Sequence, residues 1–200
     1  MELLIENTTI KFEIIPVTII QRDLENIFLD NKKTLRYSLE KAIADKKNRL
    51  NKIASEHLTK YSTMLDLNLG EFLFRLKSES NSDYKVYLNK YGDRRYCIYK
   101  IDQFLNDKGI YCYVVDNKIK YLGRSRKTFK ERFNEYGKIT AYNCLIDGQA
   151  TNCHINSIIN SIDNVFVGIY KMTNKSDEEI KEMEKRILKH KTFEWNIQKS

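Results

Sequence analysis

Apolar residues along the chain switch between the two-residue spacing of strands and the three-to-four-residue spacing of helices. Leu4 to Ile20 holds short apolar stretches suited to strands, and Pro16, with no N–H to give a ladder, argues against a central strand there. From about Asn31 to Tyr61 the period becomes helical: Leu35, Leu39, Ile43, Leu50, Ile53 and Leu58 fall near a 3.6-residue period among many Lys and Arg. Such a length implies a helix that is interrupted, spans the protein, or pairs with another copy. Phe72, Phe74 and Leu76, then Tyr84, Val86 and Leu88, then Tyr96 and Ile98 alternate with polar neighbours, which predicts a small antiparallel sheet with a turn around Ser78 to Asp83.

Past a polar boundary at Asn106 to Lys108 the pattern sharpens. Gly109 to Val115 is rich in aromatic and β-branched residues, Asp116, Asn117 and Lys118 supply turn chemistry, and Ile119 to Leu122 reads as the returning strand of a hairpin. Thr128 with Glu131 three residues on is a capping box, Gly137 suits the position just past the helix end, and Phe129, Phe133 and Tyr136 share one face of the helix between them. A helix over residues 151–162, a strand at Val165 to Tyr170 and a last helix opened by the Ser176/Glu179 capping box complete the series. The fold class expected is α/β (α+β): a small mixed sheet flanked by helices over residues 106–200, preceded by a helical and antiparallel-strand region over 1–105.

Composition changes this picture mainly through charge. The 200-residue chain, 42% hydrophobic and 31% charged, is long enough for a real core, and its formal net charge of +8 favours a polyanionic partner. Residues 118–138 carry eight bases (Lys118, Lys120, Arg124, Arg126, Lys127, Lys130, Arg132, Lys138) against Glu131 and Glu135, a local net +6 that would draw a phosphate backbone. No apolar run approaches the length of a membrane span, and MELLIENTTIKF lacks the basic leader of a secretory signal, so a cytoplasmic protein is expected.

Several side chains stand out as chemistry. Tyr111 and Tyr121 fall on neighbouring strands beside a glycine and a basic run, where buried phenols need polar partners. Arg132, one turn before Tyr136, presents a planar multi-donor fork at the edge of that helix face. Glu184 shares the stripe of Ile180, Met183, Ile187 and Leu188, so its carboxylate must be paired or bind a cation. Cys97 and Cys112 read as small buried hydrophobes, while Cys144, Cys153 and His154 make a zinc site only if the fold supplies a distant fourth ligand. The polar segment around them caps a cleft, reads base edges through Gln149, Asn152 and His154, or satisfies its own backbone.

Taken in order, GIY at Gly109 to Tyr111, YLG at Tyr121 to Gly123, Ser125, Arg132, and Glu184 with Asn196 in EKRILKHKTFEWN resemble the GIY-YIG nuclease superfamily. The likeness covers about the last half of the chain. It departs from the family in the spacing from Gly123 to Arg132, about one residue longer than is common, and in Tyr136, where many members carry histidine and repair-type members often tyrosine. The resemblance implies a phosphodiester hydrolase: Glu184 as ligand of one Mg²⁺ or Mn²⁺, Tyr111 taking the proton from water directly or by relay, Tyr121 positioning, Arg132 neutralising phosphoryl charge, and Asn196 holding the site together.

Lys120, Arg124, Ser125, Arg126, Lys127 and Lys130 are the accompanying nucleic-acid contacts expected, with Gln149, Asn152 and His154 as base readers. A short chain with the nuclease unit last looks most like a sequence-specific type II restriction enzyme acting on double-stranded DNA. The alternatives are a homing or structure-selective repair nuclease, and an inactive nucleic-acid-binding module. On this reading residues 1–105 serve DNA binding or dimerisation, and a double-strand break needs a homodimer or two successive cuts. Neither a membrane nor a small-molecule cofactor is expected.

Overall fold

The computed structural model describes residues 1–197. Four strands open the chain: β1 (Glu2–Ile5), β2 (Thr8–Lys11), β3 (Glu13–Pro16) and β4 (Thr18–Leu24). Helices α1 (Leu35–Ala44), α2 (Asn51–Lys60) and α3 (Leu69–Ser78) follow, then β5 (Tyr96–Lys100), β6 (Gly109–Val115) and β7 (Lys118–Ser125). The remainder is α4 (Phe129–Gly137), α5 (Ala141–Cys144), α6 (Ala150–Asn160), β8 (Phe166–Lys171) and α7 (Asp177–His190). This is a mixed α/β architecture of antiparallel sheets and helices, and no described helix is long and apolar enough to cross a membrane.

Two compact units emerge, and they do not divide at residue 105. One comprises Met1–Gln21, Ile98–Lys138 and the chain from Ile158 on; the other comprises Arg22–Cys97 and Ile139–Ser157. The reason lies in strand pairing. β3 hydrogen-bonds to β8 with Ile14 opposite Gly168, which draws the first residues into the unit that holds the tyrosine hairpin.

In that first unit the sheet runs β3-β8-β6-β7. Each pairing is antiparallel, so the mixed sheet expected from the sequence is an antiparallel one. Pro16 ends the edge strand β3, where a missing donor costs no ladder bond. β6 lies between β7 and β8, and every one of its residues is buried. Asp116 and Asn117, both at positive φ, make the two-residue turn into β7 that suits the twist of a hairpin. Past Ile119 the register slips, leaving Lys120 as the extra residue of a bulge.

Alternation along β6 and β7 divides the core. Ile110, Cys112, Val114 and Leu122 join Ile5, Ile10 and Phe12 with Ile180 and Ile187 of α7 on one face. Tyr111, Tyr113 and Tyr121 point to the other, against Phe129, Phe133 and Tyr136 of α4. Both capping boxes form as expected, at Thr128/Glu131 and Ser176/Glu179. Gly137 is the last residue of α4 rather than the one after it, and a Cβ there would meet the Tyr99 carbonyl at 2.2 Å.

The second unit is largely helical. The pattern from Asn31 to Tyr61 resolves into two helices, because Asp45 and Asn48 turn their side-chain oxygens onto the backbone N–H groups of Lys47 and Leu50. Phe72 to Leu76, expected as a strand, lie in helix α3: Leu69, Phe72, Leu73 and Leu76 fall at helical spacing and are all buried, whereas Phe74 is exposed. The Tyr84 to Leu88 stretch is a 3₁₀ turn whose entry Asn81 caps, so of the three expected strands only the last forms, as β5. Phe28, Leu35, Leu39, Phe72, Tyr87 and Tyr96 lie at the centre of this core.

Replacing Thr128 with Ala removes the acceptor for the Glu131 N–H and should lower stability by about 1 kcal/mol. Chemical denaturation followed by circular dichroism measures it, and an unchanged midpoint would contradict the capping assignment.

Candidate functional site

The glycines of the two tripeptides have separate steric reasons. Gly109 holds φ of +147°, where a Cβ would stand 2.3 Å from the Tyr170 carbonyl oxygen. At Gly123 a Cβ would stand 2.7 Å from the hydroxyl of Tyr111 and 2.9 Å from the ring of Tyr121. The absent side chain of Gly123 is the space that the Tyr111 phenol uses. Opposite Tyr111 in the ladder lies Gly123, and opposite Tyr113 lies Tyr121.

Around that space the sequence brings distant groups together. Arg132 donates from Nε to the Tyr111 hydroxyl at 3.1 Å and from a terminal nitrogen to the Tyr136 hydroxyl at 3.0 Å, with its guanidinium 4.5 Å from the Tyr136 ring centroid. Tyr111 donates to Tyr136 at 3.2 Å, and the Tyr121 and Tyr136 hydroxyls are 3.1 Å apart. A hydroxyl has one proton and two lone pairs. Tyr136 accepts from both Arg132 and Tyr111, so its own proton goes to Tyr121, and the chain of donations ends at the phenol that keeps some exposure, 7% against none for the other two. Tyr136, legible in the sequence only as packing, is therefore the junction of the network. Its place four residues after Arg132 was the signal, since both lie on one helix face. Tyr113 adds a further buried phenol, bonded to Tyr99 at 2.6 Å.

Burial dominates the acidity of these phenols. Tyr111 and Tyr113 are held well above the ordinary phenol value by desolvation, and Tyr121 and Tyr136 are raised for the same reason, although the Arg132 charge pulls Tyr111, Tyr121 and Tyr136 the other way. The neutral phenol is the stable form here.

Glu184 belongs to a different cluster. It projects from α7, which packs on the Ile110/Leu122 face, and it forms an ion pair with Arg124, the residue opposite Ile110 in the ladder. The sheet therefore lies between α7, which carries this carboxylate, and the tyrosine rings. Desolvation raises the Glu184 carboxyl, and the positive charges of Arg124 and then Arg132 oppose that. The two clusters feel each other electrostatically around residues 123–125 of β7. Leu188, expected on the same stripe, is 36% exposed.

Asn196 extends the edge of β7 as a strand would. Its amide accepts from the Leu122 N–H at 2.9 Å and donates to the Leu122 carbonyl at 2.8 Å, while the Trp195 N–H bonds the bulged Lys120 carbonyl at 2.8 Å. Because β7 is the edge of its sheet, residues 195 and 196 cover that edge from Lys120 to Leu122.

The expected phosphate contacts divide. Ser125 is buried and donates to the Lys127 carbonyl at 2.7 Å, so its hydroxyl serves the turn into α4. Lys120 pairs with Glu194 and Lys127 with Glu135, whereas Arg126 and Lys130 are exposed. Gln149, Asn152 and His154 belong to the other unit. Asn152 is buried and bonds the Gln149 side chain at 2.5 Å, opening α6, and His154 packs on Tyr91. Base reading by Asn152 is excluded by that burial. Cys144 and Cys153 are buried in the core of the second unit. Among the described residues, no group of three or more His, Cys, Asp or Glu is arranged to hold a metal ion.

Comparisons with protein-family models, curated proteins and solved structures returned no match. The functional reading therefore stands on the residues themselves.

Because Tyr111, Tyr113, Tyr121 and Tyr136 have folded acidities below those of free phenols, their contribution to stability is fully present below about pH 10, the free phenol value, and declines as pH rises past it. An absorbance titration should show them ionising in one step with loss of tertiary structure. Separate titration near the free value in the intact fold would contradict the burial argument.

Proposed function

We propose that the protein is a metal-dependent endonuclease that hydrolyses phosphodiester bonds in double-stranded DNA, with a sequence-specific restriction enzyme as the particular form. One observation carries this reading: residues 111, 121, 132 and 136 converge on the space left by Gly123, with the Arg132 fork on two hydroxyls. Ordinary sheet tyrosines need no guanidinium at their hydroxyls, and this half-buried one, which also pairs with Glu135 at 3.1 Å, turns two further donors onto phenols.

A phosphate reaching the half-buried Arg124 on β7 would meet Arg132 and Tyr121 from one face and Glu184 from the other. Arg132 would neutralise charge growing on the phosphoryl oxygens. Tyr121 is the outward phenol: deprotonated, it would be steadied by the hydrogen bond from Tyr136, with Tyr111 and Arg132 behind it. That phenolate would take the attacking water's proton directly and become the neutral phenol, with Tyr111 supporting it through Tyr136. Glu184 fits Mg²⁺ or Mn²⁺ as a single carboxylate ligand, since such an ion keeps waters and takes phosphate oxygens for its remaining positions. Bound there, the ion would polarise the phosphate and steady the leaving oxygen. Arg124 occupies that carboxylate and must be displaced first.

A second reading is an inactive nucleic-acid-binding module. The full burial of Tyr111 and the Arg124–Glu184 pair favour it, because both leave the groups of the proposed reaction engaged with the protein.

Incubation of the protein with unmethylated plasmid and Mg²⁺, followed by sequencing of the ends, separates the readings. Discrete fragments sharing an end sequence support restriction; cuts confined to junctions support a structure-selective nuclease; binding without cleavage supports the module. Given cleavage, Glu184→Gln should abolish it while DNA binding stays measurable. Arg124→Ala should lower the Mg²⁺ concentration needed for half-maximal rate. Tyr121→Phe should slow the reaction by about 10²-fold or more, and Tyr111→Phe by less. The rate should rise with pH through the neutral range, because burial keeps the phenols protonated; a flat profile would remove them from the proton transfer.

A further inference from the structure

The second unit carries a cluster that the proposed reaction does not use. Tyr91 is half-buried, and three cationic or ionisable side chains gather on it: the His154 ring at 4.4 Å between centroids, the Arg94 guanidinium at 5.2 Å and the Lys90 ammonium at 5.5 Å from the ring centroid. Lys90 and Arg94 are exposed.

The backbone under this cluster is fixed from several sides. The Tyr91 N–H donates to the Asn89 side chain at 2.9 Å, and its carbonyl accepts the buried Tyr96 hydroxyl. Asn89 in turn donates to the carbonyls of Asn143 at 2.6 Å and Leu145 at 3.1 Å. A Cβ on Gly92 would meet the Cys144 carbonyl oxygen at 2.1 Å, so the turn lies directly on the α5 end. The neighbouring acid is already engaged: Asp93 accepts from Lys77 at 2.6 Å and from Tyr84 at 2.9 Å. What faces outward is therefore cationic.

We propose that Lys90, Arg94 and His154, held on the Tyr91 ring, form a grip for the phosphodiester backbone of nucleic acid within the second unit. A guanidinium held over an aromatic ring loses less freedom on binding than one on a mobile stem, and its planar fork suits phosphate oxygens. The surrounding turn would hold the cations in register while contributing no sequence reading. This proposal deepens the nucleic-acid part of the proposed function and does not depend on hydrolysis.

The test is fluorescence anisotropy in EDTA with a labelled duplex and a labelled single strand of the same sequence, over a series of salt concentrations. Lys90→Ala with Arg94→Ala should weaken binding several-fold and reduce the slope of log affinity against log salt by about two. Tyr91→Leu keeps apolar bulk but releases Arg94, and should weaken binding with a smaller change in slope. Lys185→Ala, which also removes a positive charge, should leave both quantities near those of the unaltered chain. A loss on either duplex or single strand supports the grip and says which form it holds. Unchanged affinity and slope in the double variant, no nucleic-acid binding by the unaltered chain, or a loss seen only with anionic phosphatidylserine vesicles would overturn it. Failure of plasmid cleavage with intact, Arg94-dependent binding would overturn the hydrolase reading and leave this one standing.

Discussion

A guanidinium inserted among buried phenols is the constraint on which the first unit is built. Arg132 reaches Tyr111 and Tyr136 only because α4 starts at its capping box and lies across the sheet, and because Gly123 yields the volume that the Tyr111 ring fills. Remove any of these and the half-buried guanidinium, though still paired with Glu135, loses the phenol dipoles that meet its other donors. Desolvating a cation costs several kcal/mol, so the hydroxyls that meet it are part of the stability of the fold as well as of any chemistry. Phe129 and Phe133 close the layer by edge contacts with the Tyr111 ring.

The same arrangement sets the chemical character of the site. Burial keeps the phenols neutral, and a neutral phenol network can only pass a proton along its existing donations. Those donations run from Arg132 toward Tyr121, the phenol with residual exposure. Glu184 contributes from the other side of the sheet, and its partner Arg124 sits one residue beyond Gly123 on the edge strand. An edge strand is the part of a sheet at which one ligand can touch both faces. Asn196 and Trp195 occupy that edge at Lys120 and Leu122 by pairing with the backbone themselves.

Several elements were legible without coordinates because their signals are local. The hairpin turn at Asp116–Asn117, the capping boxes at Thr128 and Ser176, and the apolar face of Phe129, Phe133 and Tyr136 depend on residues within one or two turns of each other. The error at Phe72 to Leu76 has an equally local origin. Phe72, Phe74 and Leu76 fit alternation, but Leu69, Phe72, Leu73 and Leu76 fit a helix as well, and packing of Phe72 against Tyr61 and Tyr87 decided between them.

By itself, the sequence determined which side chains were available, their spacing along each element, and a formal net charge of +8. It also determined that Glu184 had to be paired or bind a cation, because an isolated carboxylate on an apolar stripe is too costly to keep. Only the tertiary structure decided that the partner is Arg124, that α7 and the phenols take opposite faces, that Tyr136 joins the hydroxyls, and that His154 lies on Tyr91 in another unit. Those outcomes rest on strand order and on which face each strand presents, and both are set by pairings such as β3 with β8, between residues about 150 positions apart. No local pattern specifies such a pairing, since its free energy comes from burying both partners at once.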